Sequence, residues 1–186
     1  MNRIISRLVV LAALAGVSAG SLFAAPEGGD LLRNGDFQKG CDAWTLRDES
    51  PGTQKTLTVA NDGPGGKPAA TISVISVEDK SGSAQIVLSQ SGFTFSKGKT
   101  YRLSFMVKGS GQPGMGFVLR SSAVGWPSDI PEGSQRHIDL KPDWQRINHD
   151  FTPSKDETNA VLYFSEVSRA GSVVSLADMS LKELAK

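Results

Sequence analysis

From Ala43 onward the chain alternates apolar and polar residues with a period of two, broken about every 8 to 15 residues by turn residues. The clearest run is Tyr101-Arg102-Leu103-Ser104-Phe105-Met106-Val107-Lys108. Tyr101, Leu103, Phe105 and Val107 fall on one face of an extended strand, and Arg102, Ser104, Met106 and Lys108 on the other. One face is core and the other is not, the signature of an antiparallel sandwich. The same reading predicts strands at Ala43–Asp48, Gln54–Ala60, Ala69–Val77, Ala84–Gln90, Thr100–Lys108, Gly116–Arg120, Arg136–Leu140, Gln145–Thr152, Ala160–Ser165 and Ser172–Leu184. Helix signals are scarce, and the 20 Gly and 9 Pro cluster between the apolar runs, where turns need them. The pattern predicts an all-β fold: a two-sheet antiparallel β-sandwich of the jelly-roll kind with about ten strands. Ser121 to Gln135 is the one long stretch without pattern, a length that in a compact domain points to function or poor order.

The first residues follow a different logic. Arg3 and Arg7 make a basic start, Leu8 to Ala19 are apolar but too few to span a bilayer, and small residues lead to Ala24-Ala25-Pro26. The expectation is a secretory signal peptide over residues 1–24, cleaved after Ala24, and a single domain over 25–186. The mature protein is then expected to be secreted or periplasmic. Loss of Arg3 and Arg7 leaves 18 Lys+Arg against 19 Asp+Glu, a net charge near −1. No basic stripe remains to neutralise phosphates, which argues against nucleic acid as partner. About 160 residues suffice to bury about two-thirds of the unfolded surface. Cys41 is the sole cysteine, so no internal disulfide forms; beside Trp44 it reads as a small buried apolar residue.

Two bookends carry more information: Asn34-Gly35-Asp36-Phe37 with Trp44 following, and Ala177-Asp178-Met179-Ser180-Leu181 near the end. Between them lie Gln85 to Phe105, Asp143-Trp144-Gln145-Arg146 with Phe151-Thr152, and Val161-Leu162-Tyr163-Phe164. In this order and at these intervals the segments resemble the CenC-type carbohydrate-binding modules, jelly rolls of the galactose-binding-like kind found appended to cellulases and xylanases. The resemblance implies that Gln85 to Phe105 is a central hairpin turning at Gly98, and that Trp44 and Trp144 build the core. It implies a glycan or polysaccharide ligand held in a groove on one sheet face. It departs from the family in two places. Where two successive closing aspartates are usual, the first is Ala177; after the opening Phe an acid is common, and here stands Gln38. The first closing aspartate often helps to hold a structural calcium. With six to eight oxygens needed, Asp36 and Asp178 could still contribute but are a depleted set, so a structural calcium is disfavoured and no other cofactor or metal is expected.

A sugar ring offers an apolar face to an aromatic plate and a rim of hydroxyls to polar groups. Trp126, between Gly125 and Pro127 in the unpatterned stretch, is the first candidate ligand-binding residue. The alternative is that its ring pins that loop onto the sandwich. Tyr163 is the second: if Leu162 and Phe164 face the core, Val161, Tyr163 and Ser165 face out. The opposite phase would bury Tyr163. Gln85, Gln90, Arg47 and Arg120 lie near strand ends, as hydrogen-bonding partners for a sugar or as plain solvated groups.

Catalysis finds little support. No serine sits in a G-x-S-x-G elbow, no His/Cys/acid cluster has zinc spacing, and nothing singles out a carboxylate pair for glycoside hydrolysis. His137 and Asp139 share a strand face and read as a surface pair. Gly109 to Gly114 fits G-x-G-x-x-G but contains Pro113 and precedes a strand; it reads as a turn, as does Gly63 to Lys67. The sequence therefore points to an exported, non-catalytic glycan binder. Its rival is an interaction protein that keeps the fold, has lost the sugar groove and takes a protein partner.

Overall fold

The computed structural model describes residues 29–48, 52–78, 86–112, 114–121 and 128–185. Residues 1–24, where a signal peptide is expected, together with Gln85 and Trp126 lie outside the described residues. The strands are β1 (Thr45–Asp48), β2 (Gln54–Ala60), β3 (Ala69–Ser76), β4 (Ile86–Phe95), β5 (Tyr101–Ser110), β6 (Gly114–Ser121), β7 (Ser128–Asp129), β8 (Gln135–Asp139), β9 (Gln145–Phe151), β10 (Glu157–Val167) and β11 (Val173–Glu183). Ten match the expected runs; the two-residue β7 is new and lies inside the stretch read as unpatterned. Sheet A has the order β1-β4-β10-β6-β7, with β8 also paired to β6, and sheet B the order β2-β3-β11-β5-β9. Every pairing is antiparallel, as the two-sheet jelly-roll sandwich requires.

The sheets are joined through aromatic rings. Phe105 of β5 meets Phe164 of β10 at 5.1 Å and Phe117 of β6 at 5.8 Å, both edge to face. Such pairs add ~0.5–1.5 kcal/mol beyond the area they bury. Ile86, Leu88, Leu119 and Leu162 from sheet A and Leu103, Val107, Val174 and Leu176 from sheet B complete the same core, all fully buried.

Three strands change phase to keep their apolar residues inside, and on β4 the inward series Ile86, Leu88 becomes Phe93, Phe95 across Gly92. On β11 the inward series Val174, Leu176 becomes Met179, Leu181 across a bulge at Asp178, whose φ is +49°. On β10, irregularities at Asn159 (φ +55°) and Glu166 (φ +70°) flank the inward Leu162 and Phe164 and let Val167 turn inward as well. The extra residue in each bulge resets the pleat.

The bookends meet. Leu31 N donates to Leu181 O at 2.8 Å, Asp30 Oδ1 accepts from Leu181 N at 2.9 Å, and Met179 N donates to Gly35 O at 3.0 Å. A Cβ at position 35 would lie 2.3 Å from the Met179 carbonyl oxygen, so only glycine allows this approach. Asn34 Nδ2 donates to the carbonyls of Gly40 and Asp42 at 3.0 and 2.9 Å, and its Oδ1 accepts from Lys39 N. The Asn34 carbonyl accepts the Trp44 indole N–H at 3.1 Å, which seats Trp44 in the core against Phe37.

Three expectations need correction. Gln85 to Phe105 is not a hairpin: β4 lies in sheet A and β5 in sheet B. Gly98 does sit in the turn, with φ +75°, but that turn carries the chain across the sandwich. It is braced by Ser96 N donating to Tyr101 Oη at 2.8 Å and by Gly98 N donating to Pro153 O. Two alternating strands joined by a short turn look alike in sequence whether they pair or cross. Trp144 is half-buried at the end of edge strand β9, with the Lys108 ammonium 4.7 Å from its ring centre, while Phe151 fills the core from that strand. Cys41 is partly exposed rather than buried. Burial, then the neighbouring Asp42 charge, pushes its thiol above the ordinary value, which disfavours the thiolate.

Gly35→Ala is expected to cost ~1–3 kcal/mol of stability through this backbone overlap. Urea denaturation checks it; an unchanged midpoint would mean the two ends do not close as described.

Candidate functional site

Because Leu162 and Phe164 of β10 point into the core, Val161, Tyr163 and Ser165 point out of sheet A. Neighbouring strands follow the same rule: with Leu46 packed on the core, Thr45 and Arg47 of β1 face out, and with Leu88 buried, Ser89 and Ser91 of β4 do too. Register then brings them together. Tyr163 pairs with Ser89, Thr45 pairs with Ser89, and Val161 pairs with both Ser91 and Arg120. Thr45, Arg47, Ser89, Ser91, Val161 and Tyr163 line an open depression of about 260 Å³ on this face, at the small end of ligand sites.

Tyr163 is the centre of the cluster. Arg47 reaches it from the β1 side, with its guanidinium carbon 5.5 Å from the ring centre and Nη2 donating to Tyr163 Oη at 3.1 Å. Arg120 reaches it from the β6 side at 5.3 Å. Both fall within cation–π range. Arg120 Nε also donates to Asp129 Oδ1 of β7 at 3.0 Å. The phenol is therefore a ring held between two guanidinium groups.

The structure thus brings three of the sequence-nominated residues, Arg47, Arg120 and Tyr163, into one cluster. Gln90 borders the depression but is only 2 % exposed. Its Oε1 accepts from Arg33 N and its Nε2 donates to Arg33 O, both at 2.9 Å, so its amide ties the N-terminal segment to β4. Arg33, which sequence reasoning passed over, extends the cluster: its Nη2 donates to Ser91 O at 3.0 Å. Ser89 already lay in the expected strand, and extending the β4 alternation one residue past Gln90 would have added Ser91. Nothing local would have found Arg33, whose place depends on contacts 57 and 58 residues away.

His137 Nε2 and Asp139 Oδ1 pair at 2.9 Å on the exposed surface of β8, as the alternation suggested. Elsewhere, Asp36, Gln38, Lys67, Pro68 and Asp178 line a smaller depression of about 200 Å³ beside the meeting bookends. The Asp178 carboxylate is held by Arg146 Nη2, and Arg146 Nη1 donates to the Asp178 carbonyl at 3.3 Å. With one of its two carboxylates taken by a guanidinium and a lysine lining the same depression, this set offers fewer free carboxylate oxygens than calcium sites use. No group of three or more His, Cys, Asp or Glu among the described residues is arranged to hold a metal.

With this geometry in place, the chain can be set beside known proteins. The model of the "Carbohydrate binding domain" family matches residues 29–169, and the chain belongs to that family, as the CenC-type resemblance implies. No curated protein sequence matches it. Among solved structures it is similar to the enzymatically active domain of tailspike protein 4 from bacteriophage CBA120 (TM-score 0.67, 18 % identity, 83 % of this chain and 21 % of that one). It thus spans about a fifth of the tailspike chain. It is also similar to a CBM4 structure (TM-score 0.61, 17 % identity, 81 % and 98 %). A third is the CBM22-1 xylan-binding domain of Paenibacillus barcinonensis Xyn10C (TM-score 0.59, 17 % identity, 88 % and 99 %). At such identities the likeness shows the fold.

Gln90 and Arg47 should respond differently to truncation. Gln90→Ala removes the buried amide that pairs with both the N–H and the carbonyl of Arg33, two part-buried bonds worth about 0.5–1.5 kcal/mol each. Exposed Arg47→Ala should stay within about 0.5 kcal/mol of the parent. Urea midpoints that ranked the two the other way would contradict these assignments.

Proposed function

We propose that this chain is an exported, non-catalytic binder of a polysaccharide or glycan, held on the outer face of sheet A. The observation that carries the reading is the outward pair of Arg47 and Tyr163 in a shallow depression that Thr45 and Ser91 also line, with Arg120 against the Tyr163 ring. Family membership supports a sugar as the ligand. A shallow, open surface suits a chain lying across it, with contact from a few rings and hydrogen bonds that displace ordered water. Gln85 and Trp126 remain candidate contacts from the sequence. Export rests on the basic start, short apolar run and small-residue exit of residues 1–24.

A specific feature keeps the interaction-protein reading alive: the Tyr163 ring is engaged by two arginines rather than open for stacking. Calorimetric titration of the protein from Ala25 onward with soluble glucans, xylans and host-type glycans separates the two. Sugar binding predicts saturable heat with at least one class and about tenfold or greater loss in Tyr163→Ala, which removes the ring and hydroxyl that hold Arg47 in the depression. No heat with any glycan, from a sample shown to be folded, would favour a protein ligand instead.

The module is further proposed to work without calcium, the Arg146–Asp178 contact supplying the positive charge beside the bookends. Thermal unfolding with excess calcium and with a chelator is expected to give the same midpoint, since a ligand bound only by the native state would raise it. A chelator-sensitive midpoint would overturn this.

A further inference from the structure

Taking the proposed glycan site as its starting point, we infer that the site selects acidic glycans, chains bearing carboxylate or sulfate groups, over neutral ones. The argument starts from how the chain disposes of its cations. Around sheet B each of Arg102, Lys99, Lys108, Arg146 and Lys182 has a carboxylate partner at 3.9 Å or less. Around the sheet A depression the pattern differs. Arg33 and Arg47 have no carboxylate partner among the described residues; Arg33 bonds a backbone carbonyl and Arg47 a phenol oxygen. Asp129 pairs with Arg120 alone of the three.

Nor is this a basic protein with cations to spare, since 20 Lys+Arg face 19 Asp+Glu overall. What sets the depression apart is that two guanidinium groups without a carboxylate partner lie at one hydroxyl-bearing surface. Arg47 is exposed, yet Tyr163 holds it by both its hydroxyl and its ring. Such a side chain has given up part of its freedom before any ligand arrives, which lowers the cost of binding. One of its five N–H groups serves Tyr163, and the rest of its planar fork matches a carboxylate or sulfate. The exposed, hydroxyl-bearing Thr45 and Ser91 alongside suit the uncharged rim of the same sugar, while the buried Ser89 hydroxyl donates to Thr45 O at 3.4 Å.

This also accounts for the engaged ring. A neutral chain would want the Tyr163 face open as a plate. A chain with a negative group wants the guanidinium groups themselves presented, and the ring serves to aim them.

The test is a binding panel on the protein from Ala25 onward, at low and at physiological salt. Neutral xylan and β-glucan form one arm, polygalacturonate and glucuronoxylan a carboxylate arm, and λ-carrageenan a sulfate arm. Parent, Arg47→Gln, Arg47→Lys and Arg102→Gln proteins are compared. Arg102→Gln removes the same charge from the opposite sheet and controls for general attraction. The expected result is at least tenfold tighter binding to one acidic arm than to the neutral arm, lost about tenfold in Arg47→Gln, less in Arg47→Lys, and unchanged in Arg102→Gln. Whichever acidic arm binds identifies the group. Neutral chains bound as tightly as acidic ones, or equal losses in Arg47→Gln and Arg102→Gln, would overturn acid selection and leave the glycan reading standing. No binding in any arm by folded protein would overturn both.

Discussion

The structure turns on the phase of one strand. β10 lies between β4 and β6 in sheet A, and it fully buries Leu162 and Phe164 against Phe105 of the facing sheet. Each such burial is worth about 1.5–3 kcal/mol. A one-residue slip would expose both and bury Tyr163, so core packing fixes which side chains face solvent. Core formation and site formation are the same event. The bulges at Asn159 and Glu166 confine this phase to the stretch that carries the site.

A second constraint ties the two ends of the chain together. The opening and closing motifs are remote in sequence but adjacent in space, with Gly35 against Met179 and Asp30 against Leu181. Asn34 spends its whole amide on folding the loop that delivers Trp44 to the core. In this region the side chains that make the motif recognisable are the ones that hold the backbone together. Asp178 contributes its left-handed backbone to the bulge and its carboxylate to Arg146.

Much of this was legible. Alternation placed ten strands and left two phases open for β10; the burial of Leu162 and Phe164 selects the one that turns Tyr163 outward. The phase slip on β11 is also written in the spacing of Val174, Leu176, Met179 and Leu181, though a single unbroken strand was the simpler reading. Sheet membership was not legible: β4 and β5 alternate well and are joined by a short glycine turn, and nothing local says that they part. Gln90 read as a polar surface group because its partner, the Arg33 backbone, is 57 residues away. The Arg47–Tyr163 contact spans 116 residues and exists only once the sheet is assembled. Trp144 shows the converse error, an aromatic that tolerates a half-buried edge because a lysine covers its ring.

The central claim is that the outer face of sheet A is the binding face. Backbone amide chemical shifts of isotope-labelled protein, followed as a bound glycan is added, test it most directly. The account predicts perturbations concentrated at Arg47, Ser89, Ser91, Arg120 and Tyr163, with sheet B unmoved. Perturbations gathered instead around Lys108 and Trp144 on sheet B, or beside Asp36 and Asp178, would contradict it.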